Sequence, residues 1–237
     1  LFSNDAFGQH YATELMYNDL VDQAELYQEC IKYYANILTP FSKLVENKIK
    51  EVLALNLPVD MICPSHGVLW RDNPVQIVEQ YLKWAQDYQE NQITIVYDTM
   101  WESTRKMAEA IAKGIGLANP EITVKLYHCG KHDFNDILTE VFKSKAILMG
   151  SPTMNRGLLY GANGILGAMQ GLGFKKKKAA AFGSYGWGGE SVKVITEQLK
   201  NGGFEIMNEG IRIMWTPDKA GTEECIEYGK NIGEILK

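Results

Sequence analysis

Long apolar runs are missing from this chain. No stretch of about eighteen such residues occurs, so neither a membrane-spanning helix nor a secretory leader is expected within it. Clustered cysteine is missing too. Cys30, Cys63, Cys129 and Cys225 are scattered without C-x-x-C spacing, which argues against a zinc site or disulfide framework and for reduced thiols packed as small hydrophobes in a cytosolic protein. Positive charge is not in excess: 24 Lys and Arg stand against 29 Asp and Glu, a formal charge of −5, and nothing favours broad nucleic-acid binding. An initiating methionine is also absent. Leu1 begins the sequence as though in mid-element, and the chain is expected to be a fragment.

What is present suffices for a substantial core. The chain has 237 residues, 46% hydrophobic and 22% charged, enough for one or two domains. Charge is uneven along it: residues 1–90 carry 6 Lys and Arg against 13 Asp and Glu, and residues 91–237 carry 18 against 16. A boundary near residue 90 is therefore expected, with 86–92 as a short linker. From residue 93 onward, strand-like runs alternate with helical ones, the pattern of βαβ units building a parallel sheet. The strands are ITIVYD, EITVKLYH, KAILMG, KKAAAFGS and a weaker one near EGIRIMW, with helices over 104–116, 133–142, about 160–172, 189–200 and 218–236. This composition fits an α/β fold, a flavodoxin-like, doubly wound, five-stranded parallel sheet.

In such a sheet, ligands bind beyond the carboxyl ends of the strands. Three polar loops leave those ends: Thr99-Met-Trp-Glu-Ser-Thr104, Gly150-Ser-Pro-Thr-Met-Asn-Arg-Gly157 and Phe182-Gly-Ser-Tyr-Gly-Trp-Gly-Gly-Glu190. The first stands where a strand becomes a helix. Unpaired N–H groups and the positive end of the helix dipole favour a phosphate there, and the hydroxyls of Thr99, Ser103 and Thr104 add donors. Neither G-x-G-x-x-G nor G-x-x-x-x-G-K-[ST] occurs at this turn, which argues for a monophosphate over a dinucleotide or a nucleoside triphosphate. An ordinary Ser/Thr helix cap is the plainer alternative. The other two loops suit a flat heterocycle, since Gly150, Gly157, Gly183, Gly186, Gly188 and Gly189 allow close backbone approach and Tyr185 and Trp187 offer faces for stacking. Together they point to FMN.

These three loops resemble the flavodoxin domain of flavodiiron proteins. Simple flavodoxins read T-x-T-G-x-T in the first loop, and here Trp101 and Glu102 stand where Thr and Gly would. The resemblance implies that Thr99, Met100, Trp101, Ser103 and Thr104 wrap the phosphate, that Ser151, Pro152, Thr153, Met154 and Asn155 border the ring on one side, and that Ser184, Tyr185, Gly186, Trp187 and Gly188 border it on the other. The first ninety residues carry the same resemblance independently. Leu1-Phe-Ser-Asn-Asp-Ala-Phe-Gly-Gln-His10, the helical run 27–38, Pro64-Ser-His-Gly67 and Trp70-Arg-Asp-Asn-Pro74 are similar to the last part of the metallo-β-lactamase-like domain that precedes flavodoxin in that family. The domains implied are therefore 1–90, a mostly helical remnant of a metallo-β-lactamase-like diiron domain, and 91–237, the FMN-binding domain.

The family implies a non-haem diiron centre that reduces nitric oxide to nitrous oxide or oxygen to water with electrons from FMN. Asp5 matches its bridging carboxylate and His66 a terminal imidazole, types that suit two hard cations and ferrous iron. Read without the family, Asp5 is a turn residue and His66 a surface histidine. The remaining ligands, an H-x-E-x-D-H run and a further histidine, are expected upstream of Leu1, so the partners implied are a missing N-terminal diiron half, a rubredoxin or similar electron donor, and nitric oxide or oxygen. No rubredoxin module is expected from the 237 residues themselves. A head-to-tail homodimer or tetramer is implied as well, with Trp101, Met154 and Trp187 at the interface. A free-standing electron carrier and an FMN-dependent quinone reductase remain as alternative functions. Other features read plainly: Lys175–Lys178 as a solvated edge, His10, His128 and His132 as surface or packing residues, and Val21, Leu26, Tyr27, Ile31 and Tyr34 as the core stripe of a helix that is followed by a second helix start at Asp72-Asn73-Pro74.

Overall fold

The apolar run near residue 93 becomes an interior strand of a parallel sheet, and the helices that flank it obey the same alternation as the sequence. A computed structural model describes residues 1–237 and resolves them into two units, Leu1–Tyr88 and Gln89–Lys237.

In the first unit, β1 (Phe2–Asn4) pairs in parallel with β2 (Cys63–Pro64), and its α-helices are α1 (Gln23–Tyr33), α2 (Ser42–Ala54) and α3 (Val75–Ala85), with short 3-10 and π-helical turns between β1 and α2. Asp22 starts α1 by accepting from the Glu25 N–H at 2.8 Å, which satisfies one of the free amides of the first turn. Helix α3 begins directly after Pro74. Leu26, Ile31 and Tyr34 are buried, and Tyr34, Tyr81 and Trp84 form an aromatic core with ring centroids 5.0–5.5 Å apart.

The second unit runs β3 (Glu90–Tyr97), α4 (Ser103–Ala118), β4 (Thr123–His128), α5 (Phe134–Lys143), β5 (Ser144–Gly150), α6 (Tyr160–Leu172), β6 (Lys178–Tyr185), α7 (Glu190–Asn201), β7 (Glu205–Ile206), β8 (Ile211–Met214) and α8 (Lys219–Ile235). Residues 90–92, read from sequence as linker, are already strand. Every strand pairing is parallel, in the order β4-β3-β5-β6, with β7 and β8 both on the far side of β6. The fifth strand position is thus shared by two short segments. Residues between them swing out through Gly210 at φ +82°, where a Cβ would lie 2.6 Å from the Ala181 carbonyl oxygen.

One face of the sheet, carrying Ile93, Ile95 and Tyr97, packs on α4 and α8. Those two helices approach closely because of two glycines. A Cβ on Gly114 would lie 2.0 Å from the Ile226 carbonyl oxygen, and one on Gly229 would lie 2.2 Å from that of Ile111. The other face carries a buried polar network. Gln92 Nε2 donates to Glu140 Oε2 at 2.8 Å, Thr94 Oγ1 and Ser144 Oγ lie 2.7 Å apart, and Glu140 also pairs with Lys125 at 2.6 Å and Lys143 at 3.2 Å. Burial pushes the Glu140 carboxyl up, but Lys125, Lys143 and Gln92 outweigh it and hold it below its ordinary value. The expectation of a solvated 175–178 edge fails at Lys177. Its side chain is buried because the α5–β5 junction turns without a loop, leaving the carbonyls of Phe142 and Ser144 to accept from Lys177 Nζ at 2.7 and 2.8 Å.

Candidate functional site

The carboxyl ends of β3, β5, β6 and β8 open onto one cleft of about 600 Å³, within the range of small-molecule sites. Its first wall is the turn from β3 into α4. Asp98 anchors the turn: its N–H donates to the Gly150 carbonyl and its carboxylate accepts from the Thr99 N–H, at 3.0 and 2.9 Å. The chain then reverses through Glu102, whose φ of +66° is the left-handed conformation glycine takes most readily. Glu102 occupies the place where simple flavodoxins have Gly, and it adopts that conformation while ion-paired with Arg105, which holds its carboxyl below the ordinary range. No side chain caps the start of α4, and Thr99 Oγ1 is buried with no hydrogen-bond partner. A bare helix start beside an unmatched hydroxyl is the donor set a phosphate needs.

Thr99, Met100, Trp101 and Ser103 line the cleft; Thr104 does not. Its hydroxyl is buried within 2.9 Å of Ser184 Oγ, so it braces the turn from β3 into α4 against β6. Ser103 Oγ meets Thr216 Oγ1 at 3.0 Å at the cleft rim.

The loop after β5 supplies Pro152, Thr153 and Asn155 to the lining. Ser151 lies behind them, buried, donating to the Pro152 carbonyl at 2.9 Å and accepting from the Leu159 N–H at 3.1 Å. Met154 and Gly157 exchange two backbone hydrogen bonds, 3.2 and 2.8 Å, closing a two-residue turn with Asn155 at φ +50° and Arg156 at φ +62°. Neither Met154 nor Gly157 lines the cleft; they form the base of the turn that carries Asn155 and Arg156 into it. The third wall is Ser184, Tyr185, Gly186, Trp187 and Gly188, after β6. Trp187 is 91% exposed and stands edge-on to Trp215, with centroids 5.4 Å apart. A Cβ on Gly186 would come within 2.9 Å of the Trp215 ring, so a larger residue there would push that ring aside.

Three lining residues escaped the sequence reading: Arg156, Glu190 and Trp215. Arg156 and Glu190 lie within the second and third loops, where their charge is a signal in the sequence itself. Trp215 follows the weakest strand, and the pairing of that strand with β6, continued by the Trp215 N–H to Tyr185 carbonyl bond of 2.7 Å, brings it to the site.

Asp5 and His66 belong to the first unit. The β1–β2 register places Asn4 beside Pro64, and the next residues meet with His66 Nε2 3.0 Å from Asp5 Oδ1 and Ser65 Oγ 3.2 Å from the same oxygen. Buried Gln9 fixes this pair by bonding both polar groups of Val68, at 3.1 and 2.8 Å, and Trp70 Nε1 donates to the Phe7 carbonyl at 2.8 Å. No group of three or more His, Cys, Asp or Glu residues is placed to hold a metal ion, so these residues alone do not complete a diiron centre. His10 and His132 are exposed, while the His128 side chain is 13% exposed beside Asp98.

A family model described as flavodoxin matches residues 95–229. The chain belongs to the flavodoxin family. A flavodoxin domain implies FMN, and the bare α4 start, the unmatched Thr99 hydroxyl and the aromatic walls fit that group. This flavodoxin chain is 55% identical over 232 residues to the anaerobic nitric oxide reductase flavorubredoxin of Escherichia coli O1:K1, covering 98% of its own length and 48% of the relative. It spans about half the length of the curated relatives it matches. Among solved structures it is similar to rubredoxin oxygen:oxidoreductase from Desulfovibrio gigas, with a TM-score of 0.94 and 33% identity over 99% of this chain and 59% of that one. It is likewise similar to the flavodiiron protein of Giardia intestinalis, with a TM-score of 0.92 and 27% identity over 99% and 58%. The resemblance read from the loops is the one these relatives carry. No helix is long and apolar enough to cross a membrane.

Proposed function

We propose that this chain is the electron-delivering part of a flavodiiron reductase, holding FMN in the cleft and passing its electrons to a non-haem diiron centre that reduces nitric oxide or oxygen. The observation that carries the FMN assignment is Thr99 Oγ1, buried and unmatched beside the uncapped start of α4. Thr99 and Ser103 hydroxyls and the first N–H groups of α4 hold the phosphate, Pro152, Thr153, Tyr185 and Trp187 border the ring, and Thr104 braces the two walls through Ser184. Bound there, FMN supplies one- and two-electron redox chemistry.

The names of the relatives support the rest: a flavorubredoxin that reduces nitric oxide, and an oxidoreductase that couples rubredoxin to oxygen. On this reading residues 1–88 are the end of a metallo-β-lactamase-like domain, Asp5 and His66 are this chain's iron ligands, and the remaining ligands come from outside these residues. A rubredoxin-type protein donates the electrons, in the cytoplasm, where Cys30, Cys63, Cys129 and Cys225 stay free. A head-to-tail oligomer would cover Trp101 and Trp187, which are 84% and 91% exposed.

The FMN assignment is tested by the variant T99A/S103A. It should lose FMN affinity by about tenfold or more per hydrogen bond to a charged group, worth about 1.5–3 kcal/mol, and keep its affinity for riboflavin, which lacks the phosphate. Equal losses for both flavins would remove the phosphate from this turn.

A further inference from the structure

Glu190 opens α7, and its carboxylate folds back over the loop that precedes it. A Cβ placed on Gly188 would lie 2.4 Å from Glu190 Oε2 and 2.6 Å from Oε1, so the carboxylate occupies the space a side chain at 188 would fill. Glu190 lines the cleft, yet Oε2 is buried with no hydrogen-bond partner. It does not cap its own helix: α7 has Gly189 at its N-cap, with no side-chain cap bond. Nor does Arg212 reach Oε2, although its Nη1 comes within 3.3 Å of a Cβ placed on Gly189.

A carboxylate accepts hydrogen bonds and donates none, so whatever satisfies Oε2 must bring a donor. The phosphate and the ring carbonyls of a flavin bring only acceptors. Like-charge repulsion also separates the carboxylate from the phosphate, which belongs at the Thr99 end of the cleft. Glu190 lies instead against Gly188, on the aromatic loop. In an oxidised flavin the one ring N–H is the imide at N3, and the other donors are the ribityl hydroxyls. We propose that the Glu190 carboxylate accepts the hydrogen bond of the flavin N3–H, and so orients the ring and selects for an unsubstituted imide. The inference rests on the FMN reading above. A second consequence is electrostatic: a negative charge beside the ring disfavours the electron-richer reduced form and lowers the reduction potential.

The test uses the 237-residue chain with FMN, N3-methyl-FMN and the 2′-deoxyribityl analogue of FMN, measured by fluorescence titration, with redox titration of the FMN-loaded protein alongside. The wild-type chain should bind FMN at least tenfold more tightly than N3-methyl-FMN. In E190A the two should bind within about twofold of each other, because the group that told them apart is gone. E190Q keeps a side-chain carbonyl as acceptor while losing the charge, so it should retain most of the discrimination and show a raised midpoint potential. Persistence of the full discrimination in E190A would overturn the proposal. So would loss of discrimination against the 2′-deoxyribityl analogue alone, which would assign Oε2 to the sugar chain. Should E190A fail to fold, an unchanged midpoint potential in E190Q would overturn it instead. Failure of the wild-type chain to bind FMN at all would refute the cofactor reading and this inference with it, a result distinct from FMN binding without discrimination.

Discussion

Arg156 provides a sharp test of the loop geometry, because its backbone conformation reverses the usual ranking of alanine and glycine. It is the second central residue of the two-residue turn closed by Met154 and Gly157, at φ +62°, after Asn155 at φ +50°. Asparagine tolerates this region; a long side chain does so at a cost of roughly 1–2 kcal/mol from the clash of Cβ with the backbone. Replacing Arg156 by Gly removes that clash and gives the unfolded chain more freedom, which offsets about 0.5–1 kcal/mol. Arg156→Gly should therefore stabilise the protein by about 0.5–1 kcal/mol relative to Arg156→Ala, whereas in a helix interior Ala would be favoured over Gly by about 1 kcal/mol. The assay is urea unfolding of the two variants without added flavin, followed by circular dichroism, and thermal midpoints should differ by about 2–4 °C per kcal/mol. An alanine variant as stable as the glycine variant would mean that the turn does not hold residue 156 in the left-handed region. The loop would then not present Asn155 and Arg156 to the cleft as described.

Three further outcomes follow from the second unit. Gly229→Ala should destabilise by about 1–3 kcal/mol through overpacking of the α4–α8 crossing, while Gly167→Ala in α6, where a Cβ meets nothing within 4 Å, should be neutral or mildly stabilising in the same melts. Glu140→Ala should cost about 3 kcal/mol, since it removes the 3.2 Å partner of buried Lys143 and leaves it only the 3.9 Å contact with Glu90, and chemical denaturation will measure it. Burial depresses the His128 pKa below 6.5 more than Asp98 raises it, so the unfolded chain binds the proton more readily. His128 therefore contributes stability that is fully present above 6.5 and is lost as pH falls through its lower folded value. The thermal midpoint should fall between pH 7 and 5, ahead of the carboxylates, and His128→Phe should flatten that slope.

Much of the second unit was legible because its information is local. The apolar strand cores and the helices between them alternate at their natural periods, and the three loops at the strand ends carry their hydroxyls, glycines and aromatics in the sequence itself. What was not legible depends on distant partners. That Thr104 also meets Ser184, 80 residues away, at 2.9 Å and so ties the turn to β6 is set by the sheet and not by the local sequence. A run of four lysines reads as solvated, and Lys177 is buried only because two carbonyls at the α5–β5 junction need a donor. The fifth strand is weak in the sequence because it is broken at Gly210, and with it Trp215 was overlooked as a wall of the cleft. Asp5 and His66 lie 61 positions apart and have no motif between them; the β1–β2 pairing and the buried Gln9–Val68 bonds bring them to 3.0 Å.

The central claim is that the turn from β3 into α4 is a phosphate site and the cleft beyond it a flavin site. Equilibrium titration of the wild-type chain with FMN and with riboflavin tests this most directly. The account predicts one FMN per chain, quenched on binding and bleached on reduction, with riboflavin bound at least a hundredfold more weakly because Thr99 and the α4 amides then lack their anion. Equal affinity for the two flavins, or no binding of either, would contradict it.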